Sequence, residues 1–341
     1  MTDTNRRVLL KSRPQGEPTQ ANFDVVDSAI PEPKDGEYLS RTIWMSLDPY
    51  MRGRMAEAKG YAANLNLGDA MVGGTVGQVV KSRNPRFKEG DFVGEYAGWQ
   101  SYAVSDGAMS MKLDPEAAPL STALSVLGMP GMTAWWGLMQ IGKPKAGETV
   151  VVSAASGAVG SVVGQLARLR GCRVVGIAGG KDKCDYVVKE LGFDACVDYR
   201  AAGAGLFKEI REAAPKGIDV YFENVGGAVQ AAVVPQLNDF ARVPLCGLIA
   251  HYNEMQPSPG PDWRLLLIKR ATVTGFIVSD HFGQMADFWK EVPPAVKTGT
   301  IKYRHDIVKG IEQAPEAFIG LLKGRNFGKL LVQVSNDPTA R

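Results

Sequence analysis

The sequence predicts an α/β fold in which a doubly wound parallel sheet is joined to a second, mostly β domain. The chain has 341 residues, 45% of them hydrophobic, which exceeds the usual size of one domain. From Thr149 onward, apolar strand, glycine turn and amphipathic helix alternate, a pattern that indicates a βαβ series with right-handed crossovers. Before about Leu127 the chain is rich in Gly, Pro and short β-type runs instead.

The elements follow this division along the chain. In the N-terminal half, GGTVGQVV (73–80) and DFVGEYAGWQSYAV (91–104) are β-type runs. The strand candidates of the βαβ series are TVVVSA (149–154), CRVVGIAG (172–179), ACVDY (195–199), IDVYFENV (218–225) and RVPLCGLIA (242–250). After Gly299, a strand near 303–308, a helix over 313–322 and the strand KLLVQV form an α+β tail. We therefore predict one domain of residues 1–127 and 300–341 and a second of residues 128–299.

Composition and charge argue against several classes of partner. The net charge of +3, without a basic run, gives no indication of nucleic-acid binding. Residues 117–142 carry no charge, but Pro130-Gly131 interrupts them, so we predict two buried helices meeting at a turn and no membrane partner. The apolar stretch at the N-terminus is too short for a signal peptide, and the four cysteines form no C-x-x-C pair. These features predict a cytoplasmic protein with reduced thiols.

The stretch SAASGAVGS (153–161) is a dinucleotide-binding fingerprint in which Ala155 replaces the first glycine of G-x-G-x-x-G. Such a pattern also occurs by chance, and a turn that binds nothing is the structural alternative. Here a buried strand precedes the turn and a helix ending near Gly171 follows it, as a Rossmann site requires. Gly157 and Gly160 would let the backbone approach a pyrophosphate at the helix N-terminus. We therefore predict a cofactor-binding turn.

The tip of the second predicted strand bears on the choice of cofactor. An NAD enzyme places Asp or Glu on the ribose hydroxyls about 20 residues beyond the fingerprint. This chain has residues 178–180 (AGG) there, followed by Lys181 and Lys183, which could neutralise a 2′-phosphate. Asp182, the rival carboxylate, is predicted to be a helix N-cap. The lysines could also be only a solvated helix start, but the pattern favours NADPH over NADH.

Five blocks in order along the chain carry a resemblance to a known family. They are MSLDPYMRGRM (45–55), GMPGMTAWWGL (128–138), AASGAVGSVVGQLARLRGCRVVGIAGG (154–180), YFENVGG (221–227) and GRNFGK (324–329). Together they resemble the zinc-independent branch of the medium-chain dehydrogenase/reductase superfamily that holds prostaglandin reductases and alkenal/enone double-bond reductases, curcumin reductase among them. The resemblance implies a GroES-like fold for the mostly β domain.

The same resemblance implies which residues contact the cofactor and the substrate. The pyrophosphate turn corresponds to Gly157, Ala158, Val159 and Gly160, and the 2′-phosphate contacts correspond to Lys183 and Tyr199. Positions around the ribose and nicotinamide correspond to Met129, Thr133, Asn224, Cys246, Gly247, Leu248, Ile249, Ala250, His251, Tyr252, Phe276, Ile277, Val278 and Asn326. Tyr50 lines the substrate pocket in the family. His251 is given no chemical role.

The distribution of Cys and His bears on metal binding. Alcohol dehydrogenases of the superfamily hold a catalytic zinc with Cys and His mainly from the N-terminal domain. No Cys or His precedes Cys172 in this chain. A thiolate or imidazole zinc site in that half is therefore impossible, and we predict no metal.

Reduction of an activated C=C bond requires an oriented alkene and a hydrogen-bond donor where the enolate oxygen develops. We predict Tyr252, at the end of the CGLIAHYN segment, and Tyr50 as these donors. Either tyrosine could instead be a core or rim aromatic. Asp48 could be a general base, but its place before Pro49 predicts a turn-capping role.

These observations predict an NADPH-dependent reductase of the C=C bond of α,β-unsaturated ketones and aldehydes, a 2-alkenal/enone reductase. The family implies a homodimer formed through an edge strand such as ATVTGFIV (271–278). A quinone reductase of the same superfamily and an NADPH-binding protein without turnover remain alternatives. Residues 61–67 and 255–263 are predicted pocket walls, and the sequence does not indicate which enone they accept.

Overall fold

The alternation of strands and helices after Thr149 forms one parallel sheet in the computed structural model, which describes residues 4–57, 60–256 and 258–340. The chain divides into two units, Met1–Leu124 with His305–Arg341, and Ser125–Arg304. The predicted boundaries, 127/128 and 299/300, lie a few residues from these divisions.

The N-terminal part of the first unit consists of short strands. They are β1 Asn5–Leu10, β2 Phe23–Ser28, β3 Tyr38–Ser46, β4 Thr75–Ser82, β5 Phe92–Glu95, β6 Tyr102–Ser105 and β7 Met111–Leu113. The short helix α1, Met51–Arg54, follows β3, and 3-10 turns form at Gln20–Asn22 and Leu120–Leu124. β1 and β2 pair as an antiparallel ribbon.

The second unit alternates strands and helices. Its elements are α2 Met129–Trp136, continued by a π-helical turn Gly137–Gly142, then β8 Thr149–Ser153, α3 Gly160–Leu169, β9 Arg173–Ala178, α4 Lys181–Lys189, β10 Ala195–Asp198, α5 Tyr199–Ala202, α6 Leu206–Ala213, β11 Ile218–Phe222, α7 Gly227–Val233, β12 Leu237–Leu245, α8 Trp263–Lys269, β13 Thr272–Gly275 and α9 Met285–Lys297. Shorter 3-10 turns lie at Gly203–Gly205, Val234–Gln236, Ile249–His251 and Val278–Gln284.

The sheet of the second unit is parallel throughout its described strands, in the order β10-β9-β8-β11-β12-β13. Val150 and Val152 of β8 face a core shared with α2, α3 and α9, whereas Val151 faces a core shared with α6, α7 and α8. Both faces are thus covered by helices, which confirms the predicted doubly wound fold. The strand order reverses between β8 and β11, and ligands bind beyond the carboxyl ends of strands at such a switch point.

The last elements return to the first unit. They are β14 His305–Lys309, a 3-10 turn Ile311–Gln313, α10 Ala314–Leu322 and β15 Lys329–Gln333. The described strands of this sheet run in the order β14-β15-β3-β4-β5-β7, and β6 also pairs with β3. Phe318 of α10 packs edge-on against Trp99 and Phe23, with ring centres 5.6 and 6.5 Å away, so the returning segment completes the core.

Three local predictions were wrong. Pro130 and Gly131 lie in the first turn of α2 rather than in a turn between two helices, because proline is accommodated where its missing N–H has no intrahelical partner. Asp182 is not a helix N-cap, since Gly180 holds that position in α4. β12 begins at Leu237 and ends at Leu245, so residues 246–250 are not strand. No helix in the described part of the chain is long and apolar enough to span a membrane.

Candidate functional site

The turn between β8 and α3 carries the predicted fingerprint. Ala154 adopts a left-handed conformation with φ +52°, so the chain turns sharply after β8. Ala155 is fully buried, and its N–H donates to the carbonyl of Ile177 at 3.0 Å. A Cβ atom added to Gly176 of β9 would lie 2.8 Å from the Cβ of Ala155. Alanine therefore fits at the first glycine position because the neighbouring strand carries a glycine there.

The backbone of Gly157, Ala158, Val159 and Gly160 leads from this turn into α3. A Cβ atom at Gly160 would lie 2.4 Å from the carbonyl oxygen of Ala154, so only glycine lets the helix pack this close to the turn. Val159 is the N-cap and has no side-chain acceptor for the first N–H groups of the helix. The N-terminus of α3 can therefore offer amide donors and a positive dipole end to an anion.

The ends of β9 and β10 bring a phenol and a guanidinium together. A Cβ atom at Gly179 would lie 2.7 Å from Cε1 of Tyr199 and 2.8 Å from Nε of Arg200. The Nε of Arg200 is 3.4 Å from the Tyr199 hydroxyl oxygen, and its guanidinium carbon is 5.8 Å from the ring centre. Tyr199 was predicted as a contact residue from the sequence, but Arg200 was not. The position of Arg200, two residues beyond the end of the parallel strand β10, could have indicated it.

Asp198 connects this corner to α4. Its Oδ1 accepts a hydrogen bond of 2.8 Å from the N–H of Gly180, the N-cap of α4. In the first turn of the helix, Lys181 forms an ion pair of 2.7 Å with Asp185. Lys183 is half-buried on the same turn. The corner thus combines cationic and phenolic groups suited to a phosphate, and the contact of Lys183 with it stays a prediction.

Glu223 organises the loop after β11. It is fully buried, and its Oε1 accepts hydrogen bonds from the Ser153 hydroxyl (2.9 Å), the Val225 N–H (2.7 Å) and the Gly226 N–H (3.1 Å). The adjacent Asn224 donates through Nδ2 to the carbonyl of Ser153 at 2.8 Å. The predicted contact residue Asn224 is therefore held at the carboxyl end of β8, the strand that leads into the fingerprint.

His251 ties this loop to the segment after β12. The Gly227 N–H donates to Nε2 of His251 at 2.9 Å, and Nδ1 lies 2.8 Å from Oε2 of Glu254. Since Nε2 accepts, the neutral ring carries its proton on Nδ1 and donates it to Glu254. The Ala250 N–H also donates to the carbonyl of Val225 at 2.9 Å. His251 was predicted to lie in the cofactor-contact segment without a chemical role, and its hydrogen bonds indicate a positioning role.

Tyr252 follows the 3-10 turn Ile249–His251 as its C-cap. A Cβ atom added to Gly247 would lie 3.0 Å from the Tyr252 hydroxyl, so the phenol lies over that glycine. Burial raises the pKa of Tyr252 above its ordinary value, which keeps the hydroxyl protonated at neutral pH. Burial also raises the pKa of Cys246 to about 12. The segment 246–252 thus presents a neutral donor and no thiolate.

The other predicted contacts of the second unit lie on α2 and after β13. The Thr133 hydroxyl donates to the carbonyl of Met129 at 2.8 Å, so it is engaged within its own helix. Phe276 and Val278, on either side of Ile277, are buried in the core, and the Phe276 ring centre lies 5.3 Å from that of Trp136. The side chains of Phe276 and Val278 therefore serve packing.

Tyr50 lies in the first unit, immediately before α1. Its hydroxyl is 2.6 Å from the hydroxyl of Tyr96, a partner that the sequence analysis missed. Burial, and next the charge of Asp48, raise the pKa of Tyr50 well above its ordinary value. Asn326 of the same unit donates through Nδ2 to the carbonyl of Gly328 at 2.8 Å.

The sequence predicted that the Asp48 side chain caps a turn, and this prediction was wrong. Its Oδ1 accepts a hydrogen bond of 2.5 Å from Nζ of Lys329, and its Oδ2 accepts one from the Ser46 hydroxyl. Lys329 also donates to the carbonyl of Leu47 at 2.9 Å. Both charged side chains are buried, so this ion pair fixes the segment before Tyr50 to the start of β15.

The two predicted pocket walls belong to different units. In residues 61–67, Tyr61 and Leu67 are exposed. In residues 255–263, Pro257 lies outside the described residues. A cavity of about 600 Å³ in the second unit is lined by Leu248 and His251 together with Met255, Gln256, Ser258, Pro259, Gly260, Pro261 and Trp263. His251 thus borders this cavity on one side and the Gly227 loop on the other.

No group of three or more His, Cys, Asp or Glu side chains that could hold a metal ion is found among residues 4–57, 60–256 and 258–340. A dinucleotide fits the second unit better. The glycine turn, the uncapped start of α3 and the Tyr199–Arg200 corner supply amide, phenolic and cationic donors beyond strand ends of one parallel sheet.

Comparison with known families identifies both units. A model described as the N-terminal domain of oxidoreductase matches residues 6–113, and one described as zinc-binding dehydrogenase matches residues 158–293. The NADPH-dependent curcumin reductase of Escherichia coli K12 is 48% identical over 339 residues, which cover 98% of each chain. Mouse prostaglandin reductase 1 is 41% identical over 329 residues, covering 95% of this chain and 97% of the relative.

A solved structure is similar to this chain over nearly its whole length. The crystal structure of CurA from Vibrio vulnificus in complex with NADPH is 49% identical and has a TM-score of 0.93, covering 97% of this chain and 100% of the other. These likenesses span nearly the whole chain and confirm the resemblance drawn from the sequence blocks. The chain therefore belongs to the family of curcumin reductases, prostaglandin reductases and alkenal double-bond reductases in the zinc-independent branch of the medium-chain dehydrogenase/reductase superfamily.

Proposed function

We propose that this chain catalyses the NADPH-dependent reduction of the C=C bond of α,β-unsaturated ketones and aldehydes. The observation that carries the proposal is the half-buried hydroxyl of Tyr252, which lies over Gly247 on the segment that follows β12 and whose pKa is raised by burial. A neutral phenol is the kind of donor that stabilises a developing enolate oxygen. The activities in the names of the relatives, curcumin reductase and prostaglandin reductase, support the same reaction class.

Residues of the second unit would hold the cofactor. Gly157–Gly160 would approach the pyrophosphate, and Lys183, Tyr199 and Arg200 would contact the 2′-phosphate. When bound, NADPH supplies the hydride for the β-carbon of the substrate. Glu223 and His251 keep their loops in place through the hydrogen bonds to Ser153 and Gly227.

Tyr252 and Tyr50 are the proposed catalytic residues. Tyr252 of the second unit would donate its phenolic hydrogen toward the carbonyl oxygen of the substrate as negative charge builds there, and Tyr50 is the corresponding phenolic donor of the first unit. The Tyr96 hydroxyl, 2.6 Å from that of Tyr50, can accept or donate within this pair and so fixes the rotamer of Tyr50. Both Tyr50 and Tyr252 have raised pKa values, so they act as neutral donors.

The test uses an α,β-unsaturated ketone and NADPH carrying deuterium at C4. We expect deuterium on the β-carbon, a saturated ketone as product, and no allylic alcohol. We further expect Tyr252→Phe to lower kcat while the Kd of NADPH stays the same, because its hydrogen bond strengthens only as charge develops. Label on the carbonyl carbon would contradict conjugate reduction. An unchanged kcat would remove Tyr252 from the mechanism.

The same assay separates the alternatives. Faster turnover of quinones than of enones and alkenals would indicate a quinone reductase of the superfamily. Cofactor binding without oxidation across both substrate panels would indicate an NADPH-binding protein without turnover.

We also propose that the chain forms a homodimer through its second unit. β13 is the edge of the parallel sheet, with β12 as its strand partner in the described chain. Large apolar side chains are exposed on β13 and on α8, the helix that precedes it in the chain, namely Val273 (41%) of β13 and Trp263 (78%), Leu267 (76%) and Ile268 (61%) of α8. An exposed apolar patch next to an open strand edge favours pairing with a second copy.

A further inference from the structure

Two cysteines of the second unit lie side by side although they are 12 positions apart in sequence. Cys184 is in α4 and Cys196 is in β10, and their Sγ atoms are 3.1 Å apart. This separation is about 1 Å longer than the ~2.05 Å of a disulfide bond. We infer that Cys184 and Cys196 are a thiol pair that a peroxide converts into an intramolecular disulfide.

The surroundings of the two thiols give them different roles. The Cys196 S–H donates to Sγ of Cys184, and this hydrogen bond lowers the pKa of Cys184. The same contact, and next burial, raise the pKa of Cys196. Burial raises the pKa of Cys172 to about 11 and of Cys246 to about 12, which keeps both protonated at neutral pH. Because the Cys196 S–H is directed at Sγ of Cys184, we assign Cys184 as the attacking sulfur and Cys196 as the resolving thiol.

The oxidation proceeds in two balanced steps. The Cys184 thiolate attacks one oxygen of hydrogen peroxide, the O–O bond breaks, and the departing hydroxide takes a proton to become water, leaving a sulfenic acid. The Cys196 sulfur then attacks the Cys184 sulfur. The S–S bond forms, the S–O bond breaks, and the departing hydroxide takes the Cys196 proton as a second water. The two thiols lose two electrons and two protons in all.

The disulfide would join α4, which carries Lys183, to β10, the strand that leads directly into Tyr199 and Arg200 of α5, and this step rests on the proposed function. Lys183 directly precedes Cys184 in α4, and Tyr199 follows Cys196 by three residues. The Asp198 carboxylate already joins these elements through the Gly180 N–H. The sulfurs must approach by about 1 Å, and we expect the first turn of α4 to move toward β10 as they do. We expect this shift to weaken NADPH binding more than NADH binding.

The first experiment measures the disulfide itself on the full chain. The reduced protein is treated with hydrogen peroxide, denatured, alkylated and analysed by intact-mass and peptide mass spectrometry. We expect two alkylatable thiols, Cys172 and Cys246, a peptide that links Cys184 to Cys196, and recovery of all thiols with dithiothreitol.

C172S should behave like the wild type. C196S should accumulate a sulfenic acid on Cys184 that dimedone traps, and C184S should not accumulate one on Cys196. Retention of four alkylatable thiols, or earlier oxidation of Cys172, would overturn the inference.

The second experiment measures equilibrium binding of NADPH and NADH to reduced and oxidised protein. We expect the Kd of NADPH to rise roughly tenfold, the equivalent of one charge-assisted hydrogen bond, and that of NADH to stay the same. Unchanged NADPH binding in protein shown to be oxidised would overturn the coupling to the phosphate site. If Lys183→Ala also leaves the preference for NADPH unchanged, the proposed phosphate contact has failed and not the disulfide, which mass spectrometry tests independently.

Discussion

At the scale of single residues, Gly176 decides whether alanine is tolerated in the fingerprint. Its missing side chain leaves the space that the Cβ of Ala155 occupies. The turn was predicted correctly between a strand and a helix, but the packing of Ala155 on Gly176 joins this turn to the neighbouring strand β9. A contact between residues so far apart in the sequence cannot be predicted from a local sequence pattern.

We predict that Gly176→Ala destabilises the protein by about 1–3 kcal/mol, the usual range for overpacking a core. The new Cβ would lie 2.8 Å from Ala155, 2.9 Å from Val187 and 3.2 Å from Phe193. Urea unfolding followed by circular dichroism measures the change. Gly205→Ala is the matched control, since a Cβ there meets nothing within 4 Å. Equal stability of Gly176→Ala and the wild type would contradict the packing argument.

Lys183→Ala is expected to raise the KM for NADPH far more than the KM for NADH, because only NADPH carries the 2′-phosphate. Loss of one charge-assisted hydrogen bond costs about 1.5–3 kcal/mol, which corresponds to roughly tenfold to a hundredfold. Steady-state kinetics with both cofactors measures the ratio. Lys181→Ala should have a smaller effect, because that lysine pairs with Asp185. Equal changes for the two cofactors would place the phosphate elsewhere.

At the scale of elements, buried strands were predicted well because a parallel sheet covered on both faces needs continuous apolar runs. The first half of β12 was not predicted, because it lacks such an apolar run. Its residues Asn238, Asp239 and Phe240 are partly or fully exposed, and Phe240 has φ +63°, so LNDFA shows no strand pattern. The ion pair between Asp48 and Lys329 was not predicted either, because the two residues are far apart in the sequence.

The strand pair β14 and β15 carries a pH-dependent contribution to stability. Burial, and next the charge of Lys329, lower the pKa of His305 from 6.5 to about 4. Between these two values the unfolded chain binds more protons than the folded one, so stability falls as the pH drops through this range. The loss over this range is on the order of 3 kcal/mol.

We predict that His305→Gln removes this part of the pH dependence. Urea unfolding at pH 7.5 and pH 4.5 should show a smaller loss of stability for the variant than for the wild type, since glutamine cannot gain a proton. Parallel curves for both proteins across this range would show that His305 titrates alike in the folded and unfolded states.

At the scale of the whole molecule, the proposed dimer depends on the apolar surface of α8 beside β13. Leu267→Asp should shift the mass measured by size-exclusion chromatography with light scattering from dimer toward monomer, because a charge buried in an interface without a partner is strongly unfavourable. Leu169→Asp, at an exposed position at the end of α3, is the control and should leave the mass unchanged. A wild-type protein that is monomeric at micromolar concentration would contradict the proposal.

The position of β15 has a consequence for biosynthesis. This strand comes from the end of the chain, yet it lies inside the sheet of the first unit, between β14 and β3. The second unit is one continuous segment, Ser125–Arg304, and can fold on the ribosome as soon as it has emerged. The N-terminal strands are made first, but β3 gains this neighbour and Asp48 gains Lys329 only after residues 329–333 have been made. The first unit is thus completed only after the second has been made. A chain that stalls before residue 329 leaves residues 44–46 of β3 open to pairing with other nascent chains, whereas residues 38–41 still pair with β6.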